Sequence, residues 1–393
     1  MLDPIVILGA ARTPMGAFQG EFASLSANDL GGAAIKAAVE RSGIAPEKID
    51  EVLFGNCLMA GQGQAPARQA GFKGGLPAST GAVTLSKMCG SGMQATLLAH
   101  DQLVAGSRDV MVAGGMESMT NAPYLLPKAR GGMRIGHDRI FDHMMLDGLE
   151  DAYEPGRSMG TFGEDCAAKY GFTREEQDAF ATTSVQRAKT AMASGAFAAE
   201  ITPVTLKGRS GDTVISSDEG PGKVKLDKIP LLKPAFKKDG TITAASSSSI
   251  SDGAAALVLS RESTARELGA APLARIVGHA TFSQAPEWFS TAPVGAVQKL
   301  LKKIGWDVKS VDLWEINEAF AVVPMAAMKE LDISHDIVNV NGGACALGHP
   351  IGASGARIIV TLIHALKARG LKKGVATLCI GGGEATALAI ELL

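Results

Sequence analysis

Residues 82–115, AVTLSKMCGSGMQATLLAHDQLVAGSRDVMVAGG, decide the fold class. Ala82–Lys87 is a short apolar run and reads as a strand. The glycine-rich turn Met88-Cys89-Gly90-Ser91-Gly92 opens a helical stretch, Gly90–Ala105, which Gly106 stops. A second apolar run, Val110–Gly115, ends in two glycines. Strand, helix and strand in so short a stretch make a βαβ unit. Its strands are near-continuously apolar rather than alternating, which implies a parallel sheet covered on both faces.

The same rhythm extends outward. Pro4–Gly9 reads as a buried strand, Ser26–Ser42 as an alanine-rich helix stopped by Gly43, and Glu51–Gly55 as a strand. Beyond Gly115 the rhythm breaks. Residues 116–247 are richer in charge, Met, Gly and Pro, and carry one clear helix, opened by a capping box at Thr173 and Glu176 and followed by Gly195. Lys207–Lys238 has no helical period. This span reads as an inserted domain. The pattern then resumes with strands at Ala254–Ser260 and Arg275–His279, a helix at Pro293–Ile304 and a strand at Val311–Trp314. Helices at Ala319–Glu330 and Gly355–Arg369 and strands at Gly374–Ile380 and Ala385–Glu391 follow. Residues 348–355, GHPIGASG, open a helix much as residues 88–92 do, and the strand after it also ends in glycines, Gly381-Gly382-Gly383. A duplicated α/β unit is the reading, since the period is too long for a solenoid.

The chain has 393 residues, room for two or three domains. Hydrophobic residues make up 46% and charged residues 20%, enough to build a core and too apolar for a disordered tail. Lys and Arg number 38 against 40 Asp and Glu, so no basic excess calls for nucleic acid or an anionic membrane. No apolar run reaches the ~18–20 residues of a bilayer span. Met1–Ala11 lacks a positive leader and runs straight into Arg12, so no secretory signal is expected. The five cysteines, at 57, 89, 166, 345 and 379, are odd in number and include no C-x-x-C pair. They fit neither a disulfide framework nor a zinc cage, so a reducing, cytoplasmic setting and no metal are expected.

Cys89 stands where a strand turns into a helix, a place whose unpaired N–H groups lower a thiol pKa. A small buried core cysteine is the alternative. His349, fixed between Gly348 and Pro350, is the base such a nucleophile needs, or else a capping histidine. If the two halves pack back to back, the two residues meet near a pseudo-two-fold axis. Cys379 ends an apolar strand ahead of a glycine triplet, where α/β sheets place ligands, and Gly381 offers a bare N–H to an oxyanion. Asn317 follows one strand and precedes a helix, as an N-cap or as the holder of a water. Two thiols and a histidine suggest acyl transfer through a thioester with a second proton transfer at a carbon beside a carbonyl.

These blocks, with Ala11-Arg12-Thr13-Pro14, Gly114-Gly115-Met116-Glu117-Ser118-Met119 and Asn317-Glu318-Ala319-Phe320, closely resemble the thiolase family over essentially the whole chain, in its short-chain, acetyl-CoA C-acetyltransferase branch. The resemblance implies a five-layer α-β-α-β-α fold built from two βαβαβαββ halves. Residues 1–115 with 248–270 form the first half, 116–247 an inserted loop domain and 271–393 the second half. It implies Cys89 as acyl-accepting nucleophile, His349 as the group that takes its proton, and Cys379 as acid and base at Cα. One oxyanion hole would use His349 and a water on Asn317, the other the N–H groups of Cys89 and Gly381. Coenzyme A, as a thioester substrate rather than a cofactor, would lie along Leu149, Met159, Ala244, Ser248 and Phe320, with Lys223 and Lys228 at its nucleotide end. Residues 121–147 resemble the family's tetramerisation loop, so a homotetramer is expected. The implied reaction is the ping-pong interconversion of two acetyl-CoA with acetoacetyl-CoA and CoA.

Ser158, Ala245–Ser249 (ASSSS) and Trp288-Phe289-Ser290-Thr291 depart from the common pattern, which bears on acyl-chain preference. The serine run reads either as a flexible linker or, between two apolar segments, as a tight turn against ligand. A thiolase of broader chain length, a ketoacyl-synthase-like condensing enzyme and a silent CoA-binding subunit are the other readings. Cys379 ahead of three glycines argues against the synthase.

Overall fold

A computed structural model describes residues 3–209 and 211–393. Residues 1 and 2 of the expected first half and residue 210 of the expected insertion lie outside the described residues. The first half contributes strands β1 (Ile5–Arg12), β2 (Glu51–Gly55), β3 (Gly81–Leu85), β4 (Val110–Ser118) and β5 (Ser251–Arg261), with helices α1 (Ala27–Ser42), α2 (Pro66–Lys73) and α3 (Ser91–Val104). Between β4 and β5 lie helices α4 (Met159–Tyr170) and α5 (Arg174–Ala193). The second half has strands β6 (Ala274–Ser283), β7 (Leu313–Ile316), β8 (Lys373–Ile380) and β9 (Glu384–Leu392), and helices α6 (Ala292–Ile304), α7 (Val322–Leu331) and α8 (Ser354–Arg369).

The duplication is visible in the strand order. The first half runs β3-β2-β4-β5-β1 and the second β7-β8-β9-β6. A lone bridge from Val338 to Trp314 stands where a fifth strand would pair with β7. Each strand of one half therefore has its counterpart in the other. The halves join edge to edge through two residue pairs between β1 and β6, Val6 with Arg275 and Ile7 with Ala274.

Both faces of these strands are buried, for the reason the apolar runs announce. Ile5 and Ile7, Met111 and Ala113, and Leu257 and Leu259 point inward onto α3 and α8. Their neighbours Val6 and Leu8, Val110 and Val112, and Ala256 and Val258 point outward onto α1 and α2. In the second half Val375, Ala385, Ala387 and Ala389 pack outward against α6 and α7. Five layers result, with α3 and α8 in the middle. The central helices touch at their first turns. A Cβ on Gly92 would press on Gly352 and Ala356, and one on Gly355 would overlap the backbone of Met93.

Two expectations are corrected. The strands are not all parallel: β2 pairs in parallel with β3 and β4, and β7 with β8, but β4–β5, β5–β1, β8–β9 and β9–β6 are antiparallel. Burial on both faces gives a strand the same composition whichever way its neighbour runs. The segment after β4 also holds a second helix, α4. Gly160 and Gly163 hid it, and both are there for packing, since a Cβ would strike Phe236 or Ile242. β4 continues past Gly115 to Ser118, where it still pairs with Asp252 of β5.

The excursion is anchored by a buried ion cluster. Arg12, at the end of β1, donates to Glu200 at 2.5 Å and to both oxygens of Asp218 at 2.7 and 2.9 Å. Burial works against the Arg12 charge, and Asp218 and Glu200 more than offset it. Among the described residues, no helix is long and apolar enough to cross a membrane.

Candidate active site

Cys89 sits in the turn between β3 and α3. Gly90 N–H donates to Lys87 O and Ser91 N–H to Met88 O, and Ser91 Oγ accepts from Lys87 N at 2.8 Å while donating to Met88 O at 2.7 Å. Met88 is held at φ +46°, a left-handed conformation that a methionine rarely adopts. A Cβ on Gly90 would push against the Ile380 side chain of β8, so the two halves meet closely here. Cys89 is thus pinned between the halves and stays partly exposed. Its thiol is not acidic, contrary to the sequence expectation. Burial pushes it up to about 11, while the N–H groups of Gly381 and of Cys89 itself pull the other way. At this partly enclosed helix start, desolvation outweighs the dipole.

His349 lies in the loop that opens α8. Gly348 precedes it at φ +101°, where a side chain would also overlap Ser251. His349 N–H donates to Ser249 O at 3.1 Å. Ser354 Oγ is 2.6 Å from Nδ1 and 3.0 Å from the carbonyl oxygen of Pro350. The hydroxyl has one proton, which goes to that carbonyl, so its oxygen accepts from Nδ1–H. Nε2 is left as a bare lone pair, buried and without a protein partner. Burial first, and then the charge of Arg357, push the imidazole down to about 3. It is a neutral base with its tautomer fixed.

Cys379 is fully buried in β8, among Phe162, Cys166, Phe289 and Phe320. Burial, and then the nearby Cys89, push its thiol well up. The next residues, Gly381-Gly382-Gly383, turn β8 back into β9, with Gly382 and Gly383 at φ +92° and +89°. That turn aims Gly381 N–H at Cys89. Asn317, just after β7, is held by its N–H to Thr377 O at 3.0 Å, and its side-chain oxygen and nitrogen are both buried without a partner. Buried amides left open in this way suit a bound water.

A cleft of about 270 Å³ reaches His349, lined mainly by Met119, Leu149, Met159, Phe236, Phe320 and Ile351, with Ser158, Ser247–Ser249 and His349 as polar points. Leu149, Met159, Ser248 and Phe320 are therefore brought together with His349. Ala244, Lys223 and Lys228 are not in this cleft. They share a separate depression with Lys225, Ile229 and Ala245. Lys223 pairs with Glu219 at 2.5 Å and Lys228 with Asp227 at 3.7 Å. The serine run is no linker. Ser246 Oγ accepts from Thr243 N, and Ser248 donates to Ala319 O from both its N–H and its hydroxyl.

The sequence reading missed Glu117, which is fully buried at the end of β4. Its carboxylate accepts from Asn56 Nδ2 and from the N–H groups of Cys57, Leu58 and Gly352 at 2.5–3.1 Å. It joins the loop after β2 to the loop carrying His349. Burial raises it to about 7 against those donors. A lone acidic residue at the end of an apolar run, two residues after Gly115, was the available signal.

Residues 5–263 match the model of the thiolase N-terminal domain, and residues 270–392 that of the thiolase C-terminal domain. The chain belongs to the thiolase family. This thiolase is 49% identical to a probable acetyl-CoA acetyltransferase of Dictyostelium discoideum, over 100% of this chain and 95% of that protein. It is also 49% identical to an acetyl-CoA acetyltransferase of Chromobacterium violaceum, over 98% and 99% of the two chains. The crystal structure of the Bacillus anthracis acetyl-CoA acetyltransferase superposes with a TM-score of 0.96 at 42% identity, covering 100% and 99%. That of the Ascaris suum Acat5 thiolase in complex with coenzyme A superposes with 0.93 at 43%, covering 99% and 100%. The resemblance to the family and the fold it implies are borne out.

Proposed function

We propose that this thiolase is an acetyl-CoA C-acetyltransferase, interconverting two acetyl-CoA with acetoacetyl-CoA and CoA through an acetyl-Cys89 intermediate. The observation that carries the reading is that His349, with its open Nε2, lines a cleft whose walls pack against Cys89 through Met119 and Ile351 and against Cys379 through Phe320 and Met159, with the Gly381 N–H turned to Cys89, so that both halves of the chain contribute. Relatives of this name at 49% identity over nearly the whole chain support it.

In the condensation direction, Cys89 Sγ attacks the thioester carbon of the first acetyl-CoA, His349 Nε2 takes the thiol proton, and CoA leaves as that proton is returned to its sulfur. Resting values of about 11 and about 3 keep the thiolate–imidazolium pair unpopulated, so the proton moves only as the carbonyl is engaged. The N–H groups of Cys89 and Gly381 face the resulting oxyanion. Cys379, acting in its thiolate form, then removes a proton from Cα of the second acetyl-CoA. The enolate oxygen is met by an Asn317-held water and by His349 once its Nε2 carries a proton, and the carbanion attacks acetyl-Cys89, breaking its C–S bond so that the departing sulfur takes up the proton Cys379 removed. The pantetheine lies along Leu149, Met159, Ser248 and Phe320, and the nucleotide end reaches the depression of Ala244, Lys223 and Lys228. Coenzyme A is substrate and no separate cofactor is needed. We also read residues 116–247 as the domain that covers it.

The test is the two half-reactions. Cys89→Ser loses the acetyl-enzyme detected by mass spectrometry, whereas Cys379→Ser still acetylates Cys89 but loses condensation. Equal loss of both steps in Cys379→Ser would reject these roles. Thiolysis across a ladder of 3-ketoacyl-CoA lengths should be fastest with acetoacetyl-CoA. A maximum at longer chains would favour the broader thiolase, and CO2 release from malonyl-CoA the synthase.

A further inference from the structure

Far along α3 from Cys89, three side chains that the chemistry above does not use meet at one point. His100 Nδ1 lies 3.0 Å from Asp101 Oδ1, and His279 Nε2 lies 2.9 Å from the same oxygen and 3.2 Å from His100 Nδ1. All three donor atoms fall within 4.8 Å of one another. The imidazoles meet edge to face, centroids 4.8 Å apart. The residues come from different halves, His100 and Asp101 from α3 and His279 from β6. The β6–β9 register slips at Val277, a bulge two residues before His279 that alters the direction in which the strand presents its side chains.

We propose that His100, Asp101 and His279 form a binding site for a divalent transition-metal ion, Zn²⁺ being the ion it fits best. Metal–donor bonds of about 2.0–2.2 Å put neighbouring donors about 2.9 Å apart at right angles and about 3.4 Å apart in a tetrahedron. The observed 2.9–3.2 Å spacings lie between these limits. Two imidazoles and one carboxylate are donors that zinc accepts, and three protein ligands leave one position for water. Without an ion, two imidazole nitrogens 3.2 Å apart over one carboxylate oxygen need a shared proton. The groups facing the site are Lys303, whose Nζ donates to His279 O at 3.2 Å, and the three ligands themselves. Asp101 is more than half exposed and gives the ion a way in. Bound there, the ion staples the helix that begins at the nucleophile to the first strand of the opposite half.

Titration of the metal-free full-length protein with ZnCl2 and CoCl2 tests this. The expected result is one ion per chain and a raised melting temperature. The cobalt spectrum should show visible bands but no sulfur-to-cobalt charge transfer. His100→Gln and His279→Gln should each weaken binding at least about 100-fold, since each deletes a ligand. Asp101→Asn, on the exposed side and harmless to folding, should also lower affinity. Absence of binding, a sulfur charge-transfer band at stoichiometric cobalt, or affinity unchanged in both histidine variants would each overturn the site.

Discussion

At the residue scale, the reactive groups rest in their neutral forms. Cys89, pushed up to about 11 by burial, exists almost wholly as thiol near pH 7. Alkylation of the ligand-free enzyme by iodoacetamide should therefore climb about tenfold per pH unit from pH 7 to 9, because only the thiolate reacts. A rate already level below pH 8 would contradict this. His349 acts on stability with the opposite pH sense. Its folded value of about 3 lies below the ~6.5 of an unfolded histidine, so on acidification the unfolded chain takes up the proton first. Stability from this group is full above about pH 6.5 and is lost as pH falls toward 3. Urea unfolding at pH 5 and pH 7 should show a smaller acid loss in His349→Asn than in the parent. Glycines next to Cys89 and His349, and a glycine triplet two residues after Cys379, made these candidates legible in the sequence. Ser354, which fixes the His349 tautomer, was inside a quoted motif but had no readable role, since hydroxyl orientation depends on the folded loop.

At the element scale, the site exists because two helix starts are pressed together. Gly92, Gly355 and Gly352 allow it, and Gly355→Ala should cost at least about 2 kcal/mol, since the clash is with the backbone of Met93 rather than a mobile side chain. Chemical denaturation measures it, and a loss below half that figure would show that the helices can separate freely. Glu117 fastens the loops at the same junction. Glu117→Ala strands four N–H donors and should lower stability by about 3–5 kcal/mol and kcat with it. Glu117→Gln, which keeps an acceptor oxygen, should recover part of both. Most elements were legible from apolar runs and glycine stops. α4 was not, because its glycines answer to Phe236 and Ile242, which lie far along the chain.

At the scale of the whole molecule, the segment after β4 carries a run of exposed apolar side chains, Tyr124, Leu126, Met133, Ile135 and Ile140, with Ile135 fully exposed. A patch of this kind suits contact with other copies of the chain. Met133→Asp with Ile135→Asp should lower the mass measured by light scattering while leaving folding intact. An unchanged mass would remove this segment from the interface.

The amino-acid order by itself determined the alternation of strands and helices, the duplication and the choice of the three side chains proposed as reactive. These follow from local apolar runs, from glycines that only certain turns need, and from chemistry written into residue type. Tertiary structure alone decided the direction of the strands, the protonation of Cys89 and His349, the split of the proposed CoA-contact residues between a cleft and a separate depression, and the meeting of His100 with His279. Each depends on how much water is excluded and which distant groups arrive, and neither quantity is a property of any short stretch of chain.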